Sequence, residues 1–142
     1  VDSSLGKPRF SNYWPGSNNV SVDTNHPVKA FVADNPNQLF QVASDASLTD
    51  KATAQAAVFA NATLGTSARS GSTSTGRSSS ALSVSSIATT ATLGLRIVGI
   101  QDDEANSDYT AAGIPLIVRL NAHFNATTSR YDSQTTATST GI

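Results

Sequence analysis

The chain has no cysteine and no methionine, a single tryptophan, and only 13% charged residues. Without cysteine there is no disulfide framework and no thiolate zinc site, which suits a reducing cytoplasm or a protein stabilised by assembly. It excludes neither secretion nor a viral particle. The charged share is about half the ~25% of an ordinary globular domain. Net charge is −1 and the nine lysines and arginines are scattered, so nothing steers a polyanion and nucleic acid is not an expected partner. No apolar run approaches the ~20 residues of a membrane helix, and no membrane partner is expected. The start shows neither a charged region nor a hydrophobic signal core. Ser, Thr, Ala and Asn fill the space. In 142 residues there is room for one domain, which at this size removes roughly 70% of its unfolded surface from water. The balance points to a β-rich protein with polar, uncharged surfaces or extended arms.

Residues 2–8 carry Ser-Ser, Gly and Pro, the punctuation of a hairpin connection. Only Val1 stands before that turn, so a leading strand is expected further N-terminally. Residues 28–34, VKAFVAD, and 38–44, QLFQVAS, read as a hairpin around Asn35-Pro36-Asn37. The Ala-rich stretch 49–60 reads as a short helix with a hydroxyl at its N-cap and an acid in the first turn. More than half of residues 65–92 are Ser or Thr. Such a segment has little apolar surface to offset its chain entropy, so a long loop is expected, with one helical turn near 81–86. Residues 93–100 and 114–124 are the strongest strands, joined by an acidic loop over 101–113. In the second, Leu116, Val118, Leu120 and Ala122 alternate with Ile117, Arg119, Asn121 and His123. Residues 125–142 form a polar tail. The expected fold is mainly β: a small antiparallel barrel or sandwich over residues 1–124 with one short helix, a long Ser/Thr-rich loop and an extended C-terminal tail.

Most candidate chemistry fails on spacing. GSTSTGRS at 71–78 has the outline of a phosphate loop, but Arg77 replaces the lysine and no buried strand precedes it. The acids Asp102, Asp103, Glu104 and Asp108 lack the central glycine and closing glutamate of a calcium loop. The two histidines, His26 and His123, have no zinc-ligand spacing. No Gly-x-Ser-x-Gly elbow occurs. Asn19, Asn61 and Asn125 open Asn-x-Ser/Thr triplets that carry little information in so hydroxyl-rich a chain. No catalytic residue, cofactor or metal is therefore assigned.

One stretch stands out, FSNYWPG at 10–16, which concentrates aromatics in a turn. Either Trp14 caps the core of a small barrel, or Tyr13 and Trp14 anchor an interface, where such side chains hide much area at little entropic cost. The interface candidates are Phe10, Tyr13, Trp14, Pro15, Arg77 and Tyr131.

Three pieces follow in order: GKPRFSNYWPG, AFVADNPNQLFQVASD, and LRIVGIQDDEANSDYTAAGIPLIVRLNAHF. Together they resemble head decoration (cement) proteins of tailed bacteriophages, especially short-tailed phages of aquatic bacteria. The likeness runs over most of residues 7–124 and is one of strands and turns, not of catalytic residues. The Ser/Thr-rich expansion and the tail are less typical. The resemblance implies a structural virion protein without enzymatic activity, made in the host bacterial cytoplasm. It implies binding to the outer surface of an icosahedral capsid, with the major capsid protein and further copies of the chain, as a trimer or dimer, for partners. A carbohydrate-binding module of a phage fibre or bacterial surface protein is the main alternative. A hydrolase using the acidic loop with a metal is a further rival.

Overall fold

Apolar runs with period-two alternation build one sheet. The computed structural model describes residues 2, 6–14, 16, 25, 28–65, 71–102, 108–121 and 123. Its strands are β1 (Leu39–Ala43), the two-residue β2 (Asn61–Ala62), β3 (Leu95–Ile100) and β4 (Pro115–Leu120). All pair antiparallel in the order β1-β4-β3-β2. The protein is mainly β with one short helix. Among the described residues the sheet stays open and does not close into a barrel. The two longest strands, β3 and β4, are central. Leu116 and Val118 of β4 point into the core, and Phe40 and Val42 of β1 pack against it while Leu39, Gln41 and Ala43 stay exposed. Val98 is an extra residue in β3, since Ile97 faces Val118 but Gly99 faces Ile117. Pro115 opens β4, where a missing N–H costs no ladder bond, and its carbonyl accepts from the Gln101 amide at 3.0 Å.

The expected hairpin over 28–44 forms only in part. Its turn is present: the amide of Gln38 donates to the Asn35 carbonyl (3.0 Å) and that of Asn37 to Asn35 Oδ1 (2.9 Å). Residues 28–34, however, join no ladder, and β1 pairs with β4 instead. The long-range partner offers Phe40 and Val42 a buried face, which a neighbour in sequence without a core behind it does not.

The helix α1 is Lys51–Ala56, shorter than the 49–60 expected. Its cap is the acid, not the hydroxyl: Asp50 accepts from the Thr53 amide at 2.7 Å, while Thr49 takes a left-handed φ of 69°. A second left-handed residue, Phe59 (φ 70°), redirects the chain toward β2 as its amide donates to Ile97. The apolar residues 58–60 thus serve the exit from the helix.

The Ser/Thr-rich segment does more than loop. Ala81 and Leu82 are buried, and Leu82 bridges both Ser44 and Leu64. A 3-10 turn follows at Val84–Ser86, inside the expected 81–86. Its first amide is held by Asp45 Oδ1 at 2.9 Å, a cap supplied from 39 residues upstream. Two buried side chains fix the segment, with Leu82 joining the apolar core. Ala122 and the tail over 125–142 lie outside the described residues.

The chain divides into two compact units. One comprises Asp34–Ala68 and Ser80–Ile142 and holds the sheet, the helix and the whole apolar core. The other comprises Val1–Ala33 and Arg69–Ser79. It contains the expected turn near the start: Asp2 donates to the Lys7 carbonyl (2.9 Å) and accepts from Gly6 (2.8 Å), which sits at φ 61°. Among its described residues only Asp2 is buried, and Arg9 approaches that carboxylate at 3.5 Å.

Candidate assembly surface

The aromatic turn is built by its serine. Ser11 Oγ donates to the Tyr13 carbonyl (2.7 Å) and accepts from the Tyr13 amide (3.3 Å), folding the short stretch back on itself. The flanking rings are thrown outward: Phe10 is 89% exposed, Trp14 58%, and Tyr13 is exposed as well. Trp14 is not among the residues of the apolar core. Pro15 lies outside the described residues.

The segment 71–78 closes into a hairpin turn. Ser72 donates to the Arg77 carbonyl (2.9 Å) and the Gly76 amide to Ser72 (2.8 Å), while Ser72 Oγ accepts from the Thr75 amide. Even the Arg77 amide is turned inward, at 3.4 Å from Thr75 Oγ1. These amides donate to oxygens of the turn itself, whereas a phosphate cradle needs them free at the start of a helix. Gly76 is required here on two counts. Its φ is +66°, and a Cβ would stand 2.6 Å from the Asn12 side chain and 2.8 Å from the Asn12 carbonyl. That close approach places Arg77, the next residue, beside the aromatic turn. Four of the six interface candidates, Phe10, Tyr13, Trp14 and Arg77, thus share one neighbourhood. Tyr131 lies outside the described residues.

Residues 28–33 add a feature that sequence reasoning assigned to the sheet. Phe31 is 99% exposed, and Val28 and Val32 are exposed with it. Its signal was visible as strand-like composition. What sequence could not supply was the absence of a ladder partner.

The polar candidates have structural employment. Asp102 pairs with Lys51, which raises the lysine pKa above its ordinary 10.5, chiefly through the hydrogen bond. Asp108 accepts from both the hydroxyl and the amide of Thr110, and those bonds hold its pKa below 3.8. Asp50 is lowered likewise, by the Thr53 amide at the cap. His123 approaches Asp34 at 3.5 Å. Asp103, Glu104 and His26 lie outside the described residues. Among the described residues no cluster of three or more His, Cys, Asp or Glu could hold a metal ion. Asn61 is fully buried, so its triplet is no glycan acceptor in the folded chain. Its Oδ1 accepts from Asn121 (2.8 Å) and from Arg96 (3.3 Å), and its amide nitrogen donates to Thr90 (3.1 Å). That network ties β2 to the ends of β3 and β4. Asn19 and Asn125 lie outside the described residues.

No family model matches the chain, and no curated protein and no solved structure matches it either. Among the described residues no helix is long and apolar enough to cross a membrane.

Proposed function

We propose that the chain is a structural virion protein that binds the outer surface of an icosahedral phage capsid and cements neighbouring major capsid protein subunits. One observation supports this above the others: the unit Val1–Ala33 with Arg69–Ser79 shows six of its large apolar side chains to solvent. Such groups, Phe10, Tyr13, Trp14, Val28, Phe31 and Val32, are what an assembly surface uses. A cement protein needs no active site. It lies across seams and adds contacts, and many sites on one particle raise the effective concentration far above that of a single grip. Closed trimers or dimers of the chain would match shell symmetry.

The test is reconstitution. Shells stripped of the protein should recover it from solution and then resist heat disruption better than bare shells. Failure to rebind would end the proposal. A carbohydrate-binding module is favoured by one specific feature, the adjacent exposed rings of Tyr13 and Trp14. Glycan titration separates the two, because sugar stacked on the only tryptophan would quench its fluorescence while shells stayed unbound.

A further inference from the structure

β1 is an edge strand without the usual protection. Its sequence, LFQVA, holds no charge and no proline, the devices that keep an open edge from pairing. The direction of its backbone groups follows from two bonds. Ser44 donates to Ile114 (2.9 Å), on the β4 side, and the Ala43 carbonyl accepts from Leu82 (2.8 Å), on the outer side. Strand alternation then turns the N–H and C=O of Leu39 and Gln41 outward. Leu82 covers the outer edge at the Ala43 end, and the Gln38 side chain covers the Leu39 carbonyl at 2.9 Å. The Leu39 amide and both groups of Gln41 receive no bond from any described residue.

The same chain carries a strap of matching character. Residues 28–33 are apolar at every position but Lys29, join no ladder, and are exposed throughout. Once extended as a strand, the strap would set Val28, Ala30 and Val32 on one face and Lys29, Phe31 and Ala33 on the other. The obvious destination would be its own β1, by the hairpin that the turn at Asn35 begins. Closing it would set Ala33 opposite Leu39. Asp34, the next residue, is instead held by His123, beyond the C-terminal end of β4 and so on the inner side of β1. The edge of a second copy imposes no such conflict.

We propose that two copies of the chain exchange straps, residues 30–33 of each adding antiparallel to the outer edge of the other's β1, short of the end that Leu82 covers. Phe31 lies opposite Gln41 and Ala33 opposite Leu39, the two residues whose backbone groups face outward. Val32 and Ala30 then extend the apolar face of Phe40 and Val42, and the Phe31 ring covers Leu39 diagonally across the strands. This is strand addition of the kind that lets main-chain bonds supply affinity and side chains supply register. It stands apart from the shell proposal, because copies exchange straps whatever surface they then bind.

The absence of native cysteine makes the test clean. Chains carrying Phe31→Cys and chains carrying Gln41→Cys are co-expressed, oxidised and run without reductant. A covalent dimer that requires both variants is expected. No dimer, or a dimer from either variant alone in equal yield, overturns the proposal. In a single chain carrying both substitutions, a compact monomer closed on itself also overturns it. Gln41→Pro gives an independent check, since its N–H faces away from β4 and the monomer fold tolerates the change. Sedimentation should show the monomer–oligomer midpoint moved by at least about tenfold, with circular dichroism unchanged. A parent chain that is monomeric throughout, or a proline variant that assembles like the parent, sinks the idea.

Discussion

Leu82 and Phe31 are both large apolar residues, one inside a run of serines and the other in a strand-like stretch. The serine-flanked residue is fully buried, and the strand-like one is 99% exposed. The contrast extends to the two units they belong to. Asp34–Ala68 with Ser80–Ile142 encloses its aliphatic side chains between sheet, helix and the segment around Leu82. Val1–Ala33 with Arg69–Ser79 is held by turns, an ion pair and a hairpin, and leaves its rings outside. Burial of apolar area is the main favourable term in folding. A unit that buries none of its large apolar groups among the described residues gains that term only when something else covers it. Among the described residues the first unit holds the apolar core, and the second shows its large apolar groups to solvent.

The sharpest way to break that comparison is to open the core. Leu82→Ala should lower the unfolding free energy by about 2–5 kcal/mol, the range for a truncated leucine that leaves a cavity. Chemical denaturation followed by far-ultraviolet circular dichroism checks it, with an unchanged slope against denaturant as the sign that only stability moved. A loss below about 0.5 kcal/mol would mean that the serine-rich segment is not part of the fold.

That segment also marks the limit of what could be read from sequence. β1, β3 and β4 were legible as apolar runs, β4 with clear period-two alternation, and the Ala-rich run announced the helix, though its cap is Asp50 and not the expected hydroxyl. Leu82 was not, because two apolar residues among serines carry no period. Its place depends on partners distant in sequence, at Ala43, Ser44 and Leu64. Residues 28–34 failed in the opposite sense: strand propensity was present, but a strand also needs a ladder partner, and these residues join none. Asn61 showed only a glycan triplet, since a buried amide network is visible only once Asn121 and Arg96 are folded beside it. Of the candidate surface, Phe10, Tyr13 and Trp14 were found by their clustering, while Phe31 was hidden inside an expected strand.

The next effect belongs to the other unit. Gly76→Ala places a side chain at positive φ and against the Asn12 backbone, and costs about 1–3 kcal/mol locally. Trp14, two residues from Asn12, reports the displacement by its emission, and hydrogen exchange at Ser72–Arg77 should quicken. Denaturation of the sheet should stay unchanged. If the sheet melts with the turn, the two units are not energetically separable.

Smaller still is the response to pH. Asp50 and Asp108 have pKa values held below 3.8 by hydrogen bonds to their carboxylates. Their stabilisation is fully present above the unfolded value and is lost as pH falls through the folded one. Lys51 behaves in mirror image: raised above 10.5 by Asp102, it stabilises below that value and ceases to do so as pH rises through its folded pKa. All three sit at the surface, so each effect is slight and screened by salt. Asp50→Ala should lower the melting temperature by a few degrees at neutral pH, through loss of the cap. The gap between variant and parent should then close below pH 3.8. A gap that persists in acid would trace the loss to packing and not to the carboxylate.

The smallest change in stability should come from Phe31→Ser, although it deletes a whole ring. At 99% exposure the ring touches almost nothing in its own chain, so the unfolding free energy should move by less than about 0.5 kcal/mol. The variant should nevertheless assemble less well, because removing an exposed ring can weaken only contacts with a partner. A stable, monomeric Phe31→Ser chain beside an oligomeric parent is the pairing expected when a side chain serves association and not folding. If the variant instead unfolds more readily and assembles as before, Phe31 belongs to the chain's own packing, and the difference drawn between the two units disappears.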